Sequence, residues 1–224
     1  MNASGSPRAS SASGRPEVLT LGAGAFLMRG FAAAHEARLL PDLRQVLEQA
    51  PCRHMSTPGG FRMTVAMSNC GALGWVSDDS GYRYDGVDPE SGRLWPALPD
   101  SFLKLAQDAA DQAGYRGFVP DACLISRYEP GARLTLHQDR DERELDWPIV
   151  SVSLGLPAIF LLGGTRRSVK AARVPLAHGD VVIWGGPSRL RYHGVLNLAD
   201  GSHPLTGRYR FNLSFRRAGR SSAS

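Results

Sequence analysis

His137 and Asp139 are separated by one residue inside Leu134–Asp139, where Leu134, Leu136 and Gln138 alternate with Thr135, His137 and Asp139. On a β-strand successive side chains leave opposite faces, so residues two apart share a face and converge. An imidazole nitrogen and a carboxylate oxygen aimed at one point supply two ligands of a 2-His-1-carboxylate triad, which holds a ferrous ion with coordination positions left open. The third ligand must be a remote histidine, and His193, in Arg191-Tyr192-His193, is available in a late strand-like segment. The same His-x-Asp spacing recurs at His178-Gly179-Asp180. There Gly-Asp lies between the apolar runs 174–177 and 181–184, which is the pattern of a tight hairpin turn.

A second constellation sits in Arg210–Arg216, which alternates Arg210, Asn212, Ser214 and Arg216 with Phe211, Leu213 and Phe215. If the polar set faces an interior, two buried guanidinium groups need partners, at a cost of several kcal/mol per charge without them. A dicarboxylate would satisfy both. A strand with its arginines in solvent and its aromatics in the core fits the same residues. From Ser68 to Pro99 the chain reads as a loop carrying Trp75, Tyr82, Tyr84 and Trp95 among Gly, Asp and Pro. Such rings either clamp a nucleobase by stacking, worth about 1–3 kcal/mol per base, or plug the loop onto the core.

The elements that must position these groups are mainly strands. Segments 122–128, 133–139, 149–154, 158–162, 172–176, 181–184, 190–195 and 209–216 are short, apolar or alternating, and separated by turn residues such as Pro130-Gly131. Eight such strands without intervening helices predict a double-sheet jelly roll of the cupin kind, able to enclose a site between its sheets. Ahead of them, residues 18–31 predict one or two short strands. Leu39, Leu43, Val46 and Leu47 predict an amphipathic helix over 32–50, kinked or divided at Pro41. Phe61, Met63, Val65 and Met67 share one strand face. Residues 100–113 predict a helix with Asp100 as cap and Gly114 as stop. The class is α+β, mainly β.

The chain has 224 residues, 42% of them hydrophobic and 21% charged, which suits one soluble globular domain. A formal charge of +5 comes almost wholly from arginine, since Lys104 and Lys170 are its lysines. A planar guanidinium suits phosphates, so a polyanionic partner and plain arginine usage in a GC-rich genome both fit. Cys52, Cys70 and Cys123 are odd in number and widely spaced, which argues against a disulfide framework and suits a reducing cytosol. Residues 1–16, rich in Ser, Ala and Gly, read as a disordered tail without a signal-peptide core, and 220–224 as a second tail. No run approaches the roughly 18 apolar residues of a membrane span, so a cytoplasmic protein with no membrane partner is expected.

At residues 17–219 the chain resembles the AlkB family of Fe(II)- and 2-oxoglutarate-dependent DNA/RNA demethylases. The stretches that carry the resemblance are Thr57-Pro-Gly-Gly-Phe61, Asn69-Cys-Gly-Ala-Leu-Gly-Trp75, Pro120-Asp-Ala-Cys-Leu-Ile125, His137-Gln-Asp139, Ile149-Val-Ser-Val-Ser-Leu-Gly-Leu-Pro-Ala-Ile-Phe160, His178-Gly-Asp-Val-Val-Ile-Trp-Gly-Gly186 and Arg210-Phe-Asn-Leu-Ser-Phe-Arg216. The resemblance implies a double-stranded β-helix core over about 120–217 and a nucleotide-recognition lid over about 55–98. It implies His137, Asp139 and His193 as iron ligands. Tyr128 and Arg210 match contacts to the far carboxylate of 2-oxoglutarate, and Arg216 with Asn212 to the carboxylate beside its keto group. Trp75, Tyr82, Arg83, Tyr84, Asp141 and Arg167 match the region that holds the damaged base and its strand. The implied reaction couples decarboxylation of 2-oxoglutarate by O2, giving succinate and CO2, to oxidation of an N-methyl group that leaves as formaldehyde. Methyl groups on the Watson–Crick edge, as in 1-methyladenine and 3-methylcytosine, are reached only in a flipped or single-stranded nucleotide. Alkylated DNA and also RNA are the implied partners of a monomeric enzyme.

Ser126 stands where the family usually has asparagine, two residues before the tyrosine, so a weakened hold on 2-oxoglutarate is expected. Two other classes fit the ligand residues. One is a related hydroxylase of protein or a small molecule; the other is an inactive cupin-like module holding zinc, which two histidines and a carboxylate also suit.

Overall fold

The computed structural model describes residues 17–219; both expected tails lie outside them. The described residues open with strands β1 (Val18–Gly22) and β2 (Ala25–Met28), then a 3-10 turn (Phe31–His35) leading into helix α1 (Glu36–Gln49). Strands β3 (Arg53–Ser56), β4 (Arg62–Gly71), β5 (Gly74–Asp78) and β6 (Gly81–Asp85) follow, then helix α2 (Asp100–Gln112). The remainder is β7 (Ala122–Tyr128), β8 (Leu134–His137), β9 (Ile149–Gly155), β10 (Ala158–Leu162), β11 (Ala172–Leu176), β12 (Val181–Trp184), β13 (His193–Val195) and β14 (Arg210–Arg216).

Two antiparallel sheets face each other. The larger has the order β1-β2-β12-β9-β14-β7-β4-β3 and the smaller β11-β10-β13-β8, while β5 and β6 form a separate hairpin. Strand periodicity divides the larger sheet into two faces. Ile125, Val150, Val152, Leu154, Ile183, Leu213 and Phe215 pack with Leu39, Leu43 and Val46 of α1 and Phe102, Leu105 and Ala109 of α2. Their neighbours Tyr128, Ile149, Val182 and Trp184 face the smaller sheet, meeting Phe160, Leu162, Val174 and Val195. Both faces of β9 are covered, and all seven of its residues are buried. This is the expected double-stranded β-helix.

Several local expectations need correction. Helix α1 runs unbroken through Pro41, and the change of geometry falls earlier, at the junction of the 3-10 turn with Glu36. The cap of α2 is Pro99, without a side-chain hydrogen bond, and Asp100 is the first helical residue. The 178–180 turn is a turn but not a hairpin, because it carries the chain from β11 in the smaller sheet to β12 in the larger. Its His178 contacts Glu36 and its Asp180 contacts Arg29 and the Gly30 N–H, so its polar groups serve the fold. The stretch 68–99 is not all loop: it contains the end of β4 and the hairpin of β5 with β6. Trp95 there is a plug, its indole N–H donating to the Asp85 carbonyl at 2.9 Å, its ring against Gly74, where a Cβ would come within 2.4 Å.

Candidate active site

His137 and His193 are register partners across β8 and β13. A directly opposed pair on antiparallel strands projects to one face, which brings the ring centroids to 4.3 Å. Asp139 lies just past the end of β8, and its Oδ1 stands 3.4 Å from His137 Nε2 and 3.6 Å from His193 Nε2. The three candidate ligand atoms lie within 4.8 Å of one another. In each imidazole Nδ1 faces a main-chain carbonyl, Thr135 O at 2.8 Å and Arg191 O at 3.1 Å. A carbonyl only accepts, so Nδ1 carries the proton and the Nε2 lone pairs point towards Asp139. Two lone pairs and a carboxylate converging in this way are a donor set that fits a ferrous ion.

Electrostatics hold His193 and Asp139 in their ligand forms and act the other way on His137. Burial and the neighbouring His137 push the His193 pKa down to about 3. Burial also resists charge on His137, but the hydrogen bond and charge of Asp139 outweigh it and raise its pKa. Burial opposes ionisation of Asp139 too. The Arg216 charge, then the two imidazoles, overcome it and hold the carboxyl well below its usual range. Arg216 grips Asp139 Oδ2 with Nε at 3.0 Å and a terminal nitrogen at 2.5 Å, and lies 3.2 Å from Glu142 Oε1.

Beside the triad the polar face of β14 points inward, which settles its orientation. Arg210 is 1% exposed. One nitrogen donates to Ser153 Oγ at 3.0 Å, but its Nε and NH1 are buried with no hydrogen-bond partner among the described residues. The guanidinium lies over the Tyr128 ring, 4.8 Å from its centroid. A buried charge with two unsatisfied donors calls for an anion, and a dicarboxylate such as 2-oxoglutarate fits. Ser126, opposite Asn212 in the sheet, also lines the cavity. The Asn212 amide is engaged within the protein, donating to Ser151 Oγ and Val152 O and accepting from Ser214 Oγ.

Triad, Arg210 and Arg216 open into one cavity of about 750 Å³, whose other lining residues include Trp75, Tyr82, Tyr84, Asp141 and Arg167. Trp75 and Tyr82 lie on one face of the β5–β6 hairpin and stack at 5.6 Å with 13° between planes. The Trp75 indole donates to Asp141 Oδ2 at 3.0 Å and the Tyr84 hydroxyl to Glu142 Oε1 at 2.8 Å. Arg167 donates to the Leu136 carbonyl. Arg83 is not brought to the cavity. It alternates with Tyr82 and Tyr84 along β6, leaves by the other face, and pairs with Asp78 at 2.9 Å. Glu142 and Arg189, both buried against the site, carry no sequence signal of their own: Glu142 is one acid in the charged run 139–146, and Arg189 one arginine among many.

The profile described as the 2OG-Fe(II) oxygenase superfamily matches residues 24–216, and the chain belongs to that superfamily. It is a dioxygenase using Fe(II), with 2-oxoglutarate and O2 as co-substrates, and His137, Asp139 and His193 are the group able to hold the ion. Within the superfamily it is similar to the alpha-ketoglutarate-dependent dioxygenase AlkB of Escherichia coli (strain K12), with 56% identity over 200 residues, 89% of this chain and 93% of that protein. It is 44% identical over 110 residues, 43% of this chain and 24% of the relative, to the DNA N(6)-methyladenine demethylase ALKBH1D of Arabidopsis thaliana. The solved structure of OsALKBH1 superposes with a TM-score of 0.74 at 28% identity, covering 90% of this chain and all of that one.

Proposed function

We propose that this protein repairs N-alkylated bases of the 1-methyladenine and 3-methylcytosine type in DNA, and in RNA, by oxidative demethylation that releases formaldehyde. The observation that carries the substrate class is the stacked Trp75–Tyr82 pair roofing the same cavity that holds the triad. Two parallel aromatic faces above a metal site accept a flat, apolar-faced group, and a flipped base is such a group.

In this reading Tyr128 and Arg210 hold the far carboxylate of 2-oxoglutarate. Arg216, Asn212 and Ser126 lie near its reacting end. The bound iron, with 2-oxoglutarate and O2, supplies the oxidising power. The chain's own part is to bind, orient and exclude water. Arg216 keeps Asp139 ionised and aimed, and the Thr135 and Arg191 carbonyls fix both imidazoles in the tautomer that presents Nε2. Trp75 and Tyr82 stack on the base, Asp141 accepts from its amino edge, and Arg167 meets the strand. Residues 55–98 act as the lid on a single domain spanning 17–219. The protein works as a monomer in the cytoplasm, and its three free thiols favour that reducing compartment.

A hydroxylase of protein or small molecules is the reading to exclude. The test is a set of single methylated bases in single- and double-stranded DNA and RNA oligonucleotides, with a methylated peptide alongside. Reactions contain Fe(II), 2-oxoglutarate and ascorbate, formaldehyde is measured, and His137→Ala is the blank. Release from the oligonucleotides is expected; release from the peptide alone overturns the proposal.

A further inference from the structure

Asp139 differs from the two histidines in how it is held. Both imidazoles sit on β8 and β13, but residues 138–148, which carry Asp139, Asp141 and Glu142, form neither helix nor strand. Among the described residues no ladder of main-chain hydrogen bonds fixes Asp139, so side chains locate it: Arg216 grips its carboxylate, and a second arginine must reach its backbone. Arg189 does this. It lies at the end of the short 3-10 turn Gly186–Ser188, four residues before His193, and is 3% exposed. Its NH1 donates to the Asp139 carbonyl at 2.7 Å and its Nε to the Trp147 carbonyl at 3.1 Å, while NH2 stands 3.0 Å from Glu142 Oε2 in an ion pair not aligned as a hydrogen bond. The adjoining Gln138 side chain donates to the Leu190 carbonyl at 2.6 Å. The segment bearing the carboxylate ligand is thereby stitched to the segment leading into the second histidine.

We propose that Arg189 is a positioning residue for the metal centre: one guanidinium spans both ends of the irregular 139–147 segment and sets Asp139 against His193. The proposal rests on the metal reading of the triad. A rigid planar fork is needed, since three acceptors in different directions are met at once. A lysine at this place keeps the charge but reaches fewer of them.

The experiment titrates Mn(II) alone into the full apo chain, followed by electron paramagnetic resonance, for the wild type, Arg189→Gln, Arg189→Lys and His137→Ala, with circular dichroism to verify folding. Arg189→Gln is expected to weaken Mn(II) binding roughly 10–100-fold, the range typical of groups that orient ligands from behind. Arg189→Lys is expected to recover part of that loss, and excess Fe(II) to restore turnover in both variants. Mn(II) affinity within about twofold of wild type in a folded Arg189 variant overturns the proposal, and so does loss of fold in both variants, which would make Arg189 a support of the fold alone. If wild type binds Mn(II) no better than His137→Ala, the triad itself is not the metal site and the fault lies with that reading.

Discussion

His137 and His193 face each other across β8 and β13 as register partners, with 4.3 Å between ring centroids. Residues distant in sequence become neighbours through one pairing register, and a slip of one residue would turn one imidazole to the opposite face. Asp139 enters from beyond the strand end, held from outside the ladder by Arg216 and Arg189. The triad therefore combines two rigid ligands with one that other side chains locate.

Arg210 gives a prediction with two opposite signs. Its guanidinium is buried with two unpartnered nitrogens, and burial lowers its pKa. An unsatisfied buried group costs about 1–3 kcal/mol, more when charged. Arg210→Met is expected to raise the stability of the ligand-free protein by roughly 1–3 kcal/mol in urea unfolding. The same change removes the partner of a buried carboxylate, which costs about 2–5 kcal/mol in binding, or a 30-fold or greater loss of 2-oxoglutarate affinity. A variant that loses stability and keeps its affinity would show that the cavity does not receive the carboxylate at Arg210.

Ser126 sits opposite Asn212 and lines the cavity with a hydroxyl where the family usually carries an amide. A hydroxyl offers one donor on a short stem; an asparagine offers two and reaches further. Ser126→Asn is expected to tighten 2-oxoglutarate binding by the worth of about one hydrogen bond, 0.5–1.5 kcal/mol or up to about tenfold. Isothermal titration of both proteins checks it, and tighter binding by the wild type would sink the idea.

Strand content and the site's chemistry were legible because both follow period two. Residues 122–128, 158–162, 172–176 and 181–184 are strands at the boundaries that their apolar pattern predicts, and the inward polar face of β14 is one of the two orientations its alternation allowed. What was not legible depends on tertiary context. The hairpin of β5 and β6 hides among Asp, Ser and Gly because its stability comes from Trp75 and Tyr82 stacking and from anchors at Asp141 and Glu142. Pro41 stays inside α1 because Leu39, Leu40 and Leu43 on either side of it are buried against the sheet. Arg83 separates from its tyrosine neighbours only through the strand face it takes in the β5–β6 pairing. Glu142 and Arg189 gain their meaning only when residues 47 apart meet.

Asp88 supplies a pH prediction away from the site. It pairs with Arg53 and accepts from Ser91 Oγ at 2.8 Å and the Glu90 N–H at 3.2 Å. Burial works against its charge, but the Arg53 hydrogen bond and then these donors outweigh it, so the folded pKa is lowered. A carboxylate with a depressed folded pKa stabilises fully above its unfolded value, near pH 4, and that contribution fades as pH falls through the lower folded value. Asp88→Asn is expected to cost about 1–3 kcal/mol at pH 7. The gap between variant and wild type should close below about pH 4 in acid titrations followed by circular dichroism. A gap that persists undiminished at pH 2 would locate the cost in packing instead.

Trp75 does two things that separate by substitution. Its ring stacks on Tyr82, and its indole N–H donates to Asp141 Oδ2 at 3.0 Å. Trp75→Phe keeps an aromatic face and deletes the hydrogen bond, freeing Asp141 to accept from a bound base. Trp75→Ala deletes both. Base–aromatic stacking is worth about 1–3 kcal/mol, so Trp75→Ala is expected to raise KM for a methylated oligonucleotide by roughly 5–150-fold. Trp75→Phe should change it much less, because a closed-lid bond of about 1 kcal/mol is lost in the free enzyme while the stacking face remains. Neither variant should alter the affinity for 2-oxoglutarate, since Arg210, Tyr128 and the triad are untouched. Steady-state formaldehyde and succinate assays distinguish the cases: equal losses in Ala and Phe variants would mean that the indole–Asp141 bond, not the aromatic face, sets substrate affinity.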